Sequence, residues 1–267
     1  MLITNLLTGS SPGVVHRNGN PPEWEDRWEE IVAEFFEEEQ GPCEPCPDVT
    51  VLTWTNRQTK SLVEQSLDRW GVPCLTLGRH LPEWRNDMKV FLNADALGRV
   101  RSTYVLALDA DDVLVVSGLR SILAAFTSFD CEIVFSAEKN SWPMVPHFAR
   151  FEESIAESAY CYLNSGGWIG TTDACRRFFR DCLAEDIGDI LAAHPSTAVF
   201  RDDQGPTRKT FRRYHPTARL DYHCRIFQSL NQVATSGELL VGAEHRTPLD
   251  RAQTGATSGH PAQPPAP

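Results

Sequence analysis

The stretch Tyr104 to Asp109 most constrains what this chain can become. It is a short continuous apolar run that stops at Asp109-Ala110-Asp111-Asp112. An apolar run of strand length without alternation is what a strand covered on both faces requires. Its neighbours supply the covers. Val49 to Thr55 and Val72 to Leu77 read as strands, as does Glu132 to Ala137. Between them, Arg57 to Trp70 carries Val63, Leu67 and Trp70 on one helical face, with Gly71 as its cap. Asp87 to Leu97 and Gly118 to Phe126 are further helices. Strands alternating with helices predict an α/β fold with a mostly parallel central sheet and helices on both faces. Ligands of such sheets bind beyond the carboxyl ends of the strands, where the Asp109 to Asp112 cluster falls.

The flanks are less regular. Glu23 to Glu39 places Trp24, Trp28, Ile31, Val32, Phe35 and Phe36 at helical spacing among acids, so this amphipathic helix must cover something apolar. Gly41 to Asp48 is a Pro-rich connector with Cys43 and Cys46. Ala159 to Leu163 reads as a strand leading into a small-residue turn, Asn164-Ser165-Gly166-Gly167. Thr172 is expected to cap a helix with Ala174, Cys175, Phe178, Phe179, Cys182 and Leu183 inward. Arg219 to Leu230 is expected to hold an alternating strand around Cys224, Ile226 and Gln228. From Thr247 the Thr, Gly, Ala, Gln and Pro content cannot bury enough surface to fold alone, and residues 247–267 are expected to be disordered.

Composition excludes some partners. The 36 acidic against 25 basic residues leave a formal charge of -11. That opposes broad binding to nucleic acid or anionic membranes, whose affinity comes largely from Lys and Arg. No apolar run approaches the ~18 residues of a membrane span. Met1 to Gly13 lacks a basic leader segment, so a cytoplasmic location is expected. Eight cysteines are too few for a disulfide scaffold in 267 residues. Most read as reduced, with Cys131, Cys161, Cys175 and Cys182 as packing residues.

Each candidate motif has a plain reading beside its chemical one. Carboxylates at a strand end can hold Mn²⁺ or Mg²⁺, hard ions that prefer oxygen and bridge diphosphates. A bare DxDD is equally a turn of solvated acids. Asp202-Asp203-Gln204 alone reads best as a helix cap. Paired glycines at 166 and 167 let backbone approach a ligand closely, yet also suit a hairpin turn. His16-Arg17-Asn18-Gly19 is an Asn-Gly turn with an ordinary surface histidine. Cys43-Glu44-Pro45-Cys46 has zinc-ligand spacing but no second Cys/His pair, so a local disulfide or plain thiols are preferred. There is no GxGxxG, P-loop or GxSxG.

In combination the motifs resemble the glycosyltransferase domain of the procollagen lysyl hydroxylases and the related collagen and lipooligosaccharide glycosyltransferases. Tyr162-Leu163-Asn164-Ser165-Gly166-Gly167-Trp168-Ile169-Gly170 is similar to that family's YLNSGGFIG. Asp202-Asp203-Gln204 resembles its DDQ, and Leu220 to Gln228 resembles LDHRCRIFQ. Asp109 to Asp112 resembles its metal-site TDxxD. Glu83-Trp84-Arg85, Lys89-Val90 and Ser141-Trp142-Pro143 have counterparts in the same order. The resemblance covers roughly residues 49–245. Two departures stand out. Gly205-Pro206 follows DDQ where the family continues into a helix. The HGNG-like His16 to Gly19, the Trp24/Trp28 helix and the Cys43/Cys46 pair resemble the family's C-terminal ending, yet come first. Either the chain is circularly permuted, or residues 1–46 are the tail of a preceding module.

The resemblance implies a Rossmann-like glycosyltransferase-A fold, with residues 1–48 as metal-site segment and helix and residues 49–246 as the domain. It implies transfer of a hexose from a UDP-sugar to an acceptor hydroxyl. Asp109, Asp112 and His16 would hold Mn²⁺ or Mg²⁺. Asp202 and Asp203 would flank the anomeric carbon. Thr55 and Lys89 would lie along the nucleotide, and Asp111, Asn18 and Gly19 would also bind substrate. Trp84 and Trp142 would wall the sugar pocket. Asn164, Ser165, Gly166 and Gly167 would floor the acceptor side, and Gln204 would also bind substrate. The alternatives are a non-catalytic nucleotide-sugar binding protein and a nucleotidyltransferase. Oligomeric state and acceptor stay open.

Overall fold

A computed structural model describes residues 1–38, 46–235 and 237–242. The expectations for Cys43 and for the tail beyond residue 246 lie outside the described residues. In chain order the elements are β1 (Leu2–Asn5), β2 (Val14–His16), a 3₁₀ turn (Pro22–Trp24), α1 (Glu25–Glu37), β3 (Val49–Trp54), α2 (Leu62–Arg69), β4 (Cys74–Leu77), α3 (Met88–Leu97), β5 (Tyr104–Asp109), β6 (Val113–Val115) and α4 (Leu119–Thr127). There follow β7 (Ile133–Glu138), α5 (Pro146–Ser154), β8 (Tyr162–Thr171), α6 (Thr172–Leu183), α7 (Gly188–Ala193), α8 (Thr197–Phe200), α9 (Gln204–Tyr214), β9 (Ala218–Leu220), β10 (Phe227–Ser229) and β11 (Leu239–Gly242).

The central sheet runs β4-β3-β5-β8-β7-β9. All neighbours are parallel except β8, which is antiparallel to both β5 and β7. The architecture is the expected α/β fold, consistent with a glycosyltransferase-A-like arrangement. The period of two explains why β5 reads as continuously apolar. Val105 and Ala107 join the core that includes α3 and α6 residues, while Leu106 and Leu108 join the opposite core with α2 and α4.

Local chemistry sets the element ends. The helix expected from Arg57 begins only at Leu62, because Ser61 and Glu64 form a reciprocal capping box. Residues 57–60 are thereby free of the helix. Pro206 stands in the first turn of α9, where its missing N–H has no intrahelical role, so DDQ does run into a helix.

Three expectations need correction. Asn164 to Gly167 is not a turn after a strand but part of the ten-residue β8. Ser136 pairs with Asn164 and Phe135 with Trp168, so Ser165, Gly166 and Gly167 bulge away from β7. Arg219 to Leu230 is not one strand. The Asp221 carboxylate accepts the amides of Arg225 (2.9 Å), Ile226 (2.7 Å) and Phe227 (2.9 Å), and Cys224 turns the chain at φ 50°. Leu183 ends α6 with 50% of its surface exposed rather than facing inward.

The N-terminal segment is woven into the same body. β2 lies between β10, parallel, and β6, antiparallel, and β1 pairs with β11. Trp24, Trp28, Ile31 and Phe35 are buried in the larger core, and the Trp24 indole donates to the Val233 carbonyl at 2.7 Å. Arg69 of α2 donates to the carbonyls of Phe36 (2.5 Å) and Glu38, which lie at the C-terminal end of α1. Among the described residues no helix is long and apolar enough to cross a membrane.

Candidate functional site

Three acidic strand ends and one inserted strand build the site. Asp109 closes β5 opposite Trp54, and Asp112 precedes β6. The β2–β6 register sets His16 opposite Val113, one residue after Asp112. The pairing therefore joins residues almost a hundred positions apart in sequence. His16 Nε2 lies 3.3 Å from Asp112 Oδ2 and 3.7 Å from Asp109 Oδ2. Ligand atoms of the three residues all fall within 4.8 Å of one another. Burial pulls the His16 imidazolium down, but Asp112, Asp109 and Glu138 outweigh it and the net shift is up. Burial likewise pushes Asp112 up, yet His16 and Lys89 hold it below its ordinary value.

This trio fits a divalent cation on two structural counts. One imidazole and two carboxylates form the mixed nitrogen and oxygen set that first-row ions such as Mn²⁺ take. Gly166 leaves the space: a Cβ there would stand 2.4 Å from both Asp109 Oδ2 and His16 Cε1. The bulge of β8 delivers that bare backbone to the trio.

Across a cleft of ≈ 450 Å³ stand Asp202 and Asp203, immediately before α9. Asp202 Oδ2 accepts the Trp142 indole N–H at 3.0 Å. Burial and the neighbouring Asp203 charge push Asp202 up to about 7. Burial also pushes Asp203 up, against the pull of Lys89. Lys89 Nζ lies 2.7 Å from Asp109 Oδ1 and 3.5 Å from Asp203 Oδ1, so one buried ammonium links the two carboxylate groups. Burial disfavours that charge, but Asp109 and Asp203 reverse the effect and raise its pKa.

The floor is a network around Glu138, which the sequence reading missed. Its carboxylate accepts from Asn18 Nδ2 (2.7 Å), Asn164 Nδ2 (3.0 Å) and Gln204 Nε2 (3.0 Å). Gln204 also accepts from Ser165, at its amide (3.2 Å) and hydroxyl (3.3 Å). Glu138 ends β7 as Asp109 ends β5, so the strand-end rule applied twice would have found it. Gly19 (φ 72°) packs against Asn231, also missed, whose Nδ2 would be 2.9 Å from an added Cβ.

A second lobe of ≈ 410 Å³ opens beside the trio. Trp84 and Asp111 line it, together with Trp54, Arg57 and Arg17, which the sequence reading did not single out. Arg57 NH1 lies 3.4 Å from Asp111 Oδ2. Lys89, Asp109 and Asp112 are common to both lobes. Thr55 is not among the lining residues: it is buried and its hydroxyl accepts the Arg57 amide at 3.1 Å. Gly167 faces Phe227 and Ser136 rather than the cleft. A larger hollow of ≈ 580 Å³ beside Trp70 and Leu75, near the starts of β3 and β4, is mainly apolar and gathers no convergent charges. Chemistry, not size, marks the site.

Comparison with known proteins places the chain in a family. The family described as the PLOD GT domain matches residues 47–258. Procollagen-lysine,2-oxoglutarate 5-dioxygenase of Drosophila melanogaster is 28% identical over 142 residues, covering 53% of this chain and 18% of the relative. Procollagen-lysine,2-oxoglutarate 5-dioxygenase 1 of Bos taurus is 25% identical over 205 residues, covering 73% of this chain and 27% of the relative. The human protein of that name is 28% identical over 127 residues, covering 48% of this chain and 16% of its own. The chain thus matches only 16–27% of the length of these relatives. With well over half of its residues matched by one family, the chain belongs to the PLOD GT domain family of glycosyltransferase domains.

Proposed function

We propose that this chain is a metal-dependent glycosyltransferase that moves a hexose from a UDP-sugar to an acceptor hydroxyl. One observation carries the reading: His16, Asp109 and Asp112 converge on one side of a cleft whose other side holds Asp202 and Asp203. When bound, Mn²⁺ or Mg²⁺ would supply positive charge to the diphosphate and so stabilise the leaving group. His16, Asp109 and Asp112 would hold the ion. Lys89 sets a second positive charge at the same edge. Asp111 lines the lobe beside the trio, where the nucleotide would lie, and Trp84 stands in that lobe rather than walling a sugar pocket with Trp142. Asn18, Gly19, Asn164, Ser165, Gly166 and Gln204 shape the floor of the cleft. Trp142 offers an indole face to the sugar.

Asp202 and Asp203 are the carboxylates for the reacting centre. In an inverting reaction one of them takes the proton of the acceptor hydroxyl. In a retaining reaction it stabilises positive charge on the sugar ring. The burial of Asp203 beside Lys89, with half-buried Asp202 next to it, supports either role, since charge acts strongly where water is excluded. The test is UDP release from a panel of UDP-sugars with Mn²⁺, with and without EDTA. Release that EDTA abolishes is expected. Donor binding without release would favour a binding protein, and pyrophosphate release would favour a nucleotidyltransferase.

We infer further that residues 1–46 take the place of the family's C-terminal ending, as in a circular permutation. The family match covers residues 47–258, whereas His16 lies outside it and closes the trio from β2. Deleting residues 1–46 should abolish Mn²⁺ binding and expose the surface under Trp24 and Trp28. A truncated chain that stays stable and active would refute this.

A further inference from the structure

Behind the cleft lies a buried ion pair that the chemistry above does not use. Arg208 of α9 and Glu152 of α5 are each 1% exposed. Arg208 Nε lies 3.0 Å and 3.1 Å from the two Glu152 oxygens, and its NH2 also donates to Glu152 Oε2. The Leu163 amide donates to the same carboxylate at 3.3 Å.

The rest of the guanidinium is spent on one loop. Arg208 NH1 donates to the Pro143 carbonyl at 2.7 Å, and NH2 donates to Ser141 Oγ at 3.0 Å. Between those two anchors stands Trp142. One helical turn earlier, on the same face of α9, Gln204 Nε2 donates to the Trp142 carbonyl at 2.8 Å. The loop is therefore fastened to α9 at three points. Its indole then reaches Asp202, just ahead of that helix, at 3.0 Å. A planar fork with several fixed donors can span a carboxylate, a carbonyl and a hydroxyl at once, which a lysine ammonium cannot.

We propose that Arg208, which does not line the cleft, is a positioning residue: by gripping Ser141 and Pro143 it fixes the reach of Trp142 to Asp202, and with it the wall and carboxylate that the sugar would meet. The functional part of this rests on the glycosyltransferase reading, whereas the positioning itself does not. Any sugar lying against Trp142 and Asp202 would feel a shift of that loop, and misplacement of about 1 Å can cost about 100-fold in rate.

Removing Arg208 alone would leave Glu152 as an uncompensated buried carboxylate and threaten the fold. The test is the double variant Arg208→Met with Glu152→Gln, which neutralises both partners and keeps an acceptor for the Leu163 amide. Two readouts are used: the indole ¹H–¹⁵N resonance of Trp142, identified by its loss in Trp142→Phe, and steady-state UDP release. The double variant should melt near the wild-type temperature, yet move the Trp142 resonance away from its carboxylate-bonded position. Its kcat should fall about 10- to 100-fold with donor KM changed far less. The milder Ser141→Ala keeps the ion pair and should shift the same resonance, so it decides the matter if the double variant does not fold. A folded variant with an unmoved resonance and wild-type kcat would overturn the proposal. If the wild-type chain turns over no donor, the glycosyltransferase reading fails. The resonance then still decides the positioning, a shift upholding it and an unmoved signal refuting it.

Discussion

Gly166→Ala adds a single methyl to the proposed metal site, and the structure fixes what that methyl meets. The new Cβ would lie 2.4 Å from Asp109 Oδ2, 2.4 Å from His16 Cε1 and 3.0 Å from Asn164 Oδ1. Ordinary contact begins near 3.4 Å, so the first two neighbours, or the backbone of residue 166, must yield by about 1 Å. His16 is pinned within β2, which is paired on both sides, and Asp109 is held by Lys89 at 2.7 Å. The strain therefore falls on the spacing of the ligands, where a tolerable error is about 0.2 Å. The expected loss in Mn²⁺ affinity is at least about 10- to 100-fold, the range seen when only a supporting shell is disturbed. Overpacking should also lower stability by about 1–3 kcal/mol. Calorimetric Mn²⁺ titration and a thermal melt measure the two separately. Gly167→Ala is the control: its Cβ meets Phe227 Cδ1 at 3.1 Å and touches no ligand. It should lose stability but keep Mn²⁺ affinity. Wild-type affinity in Gly166→Ala would refute the assignment of this backbone as the cradle.

Asp109→Ala should abolish Mn²⁺-dependent UDP release while the chain stays folded, as circular dichroism and turnover together would show. It also frees Lys89 toward Asp203, now 3.5 Å away. Asp203→Asn removes the charge that helps push Asp202 up to about 7, so the Asp202 carboxyl should titrate closer to the usual carboxylate range, as read by ¹³C NMR. If either carboxylate acts on the reacting centre, its Asn variant should lose kcat far more than donor affinity. Normal kcat in both variants would make the turn structural only. Burial pushes Glu64 up, but bonds from the Ser61 amide, the Thr76 and Ser61 hydroxyls and Arg79 bring it down to about 2. Its folded value thus lies below its unfolded one. The resulting stability, about 2–3 kcal/mol, is complete above about pH 4.5 and vanishes as pH falls to about 2. Glu64→Gln keeps a capping residue at N3 but should flatten that acid branch in denaturant melts.

How much of this protein is legible along the chain depends on the range of the interaction. The double-sided apolar run of β5, the helices α2 to α4 and the acids beyond Leu108 are local signals. Burial on two faces forces continuous apolarity, and a helix face forces its own spacing, so sequence determines them without help. The sequence also carries DDQ and NSGG as strings, and by resemblance a metal trio that includes His16. Spacing alone gives His16 no distinction from a surface histidine in an Asn-Gly turn. Tertiary structure decides that it is buried, because β2 inserts between β6 and β10 and its register sets residue 16 opposite residue 113. Loop-closing pairings of that length leave no periodic trace. The same holds for the bulge at Ser165 to Gly167, which depends on where Ser136 and Phe135 pair, and for the turn that Asp221 imposes on an alternating stretch. Glu138 shows the boundary most plainly. Its position at a strand end was readable, but its importance comes from Asn18, Asn164 and Gln204, three donors from distant parts of the chain that only folding brings to one carboxylate.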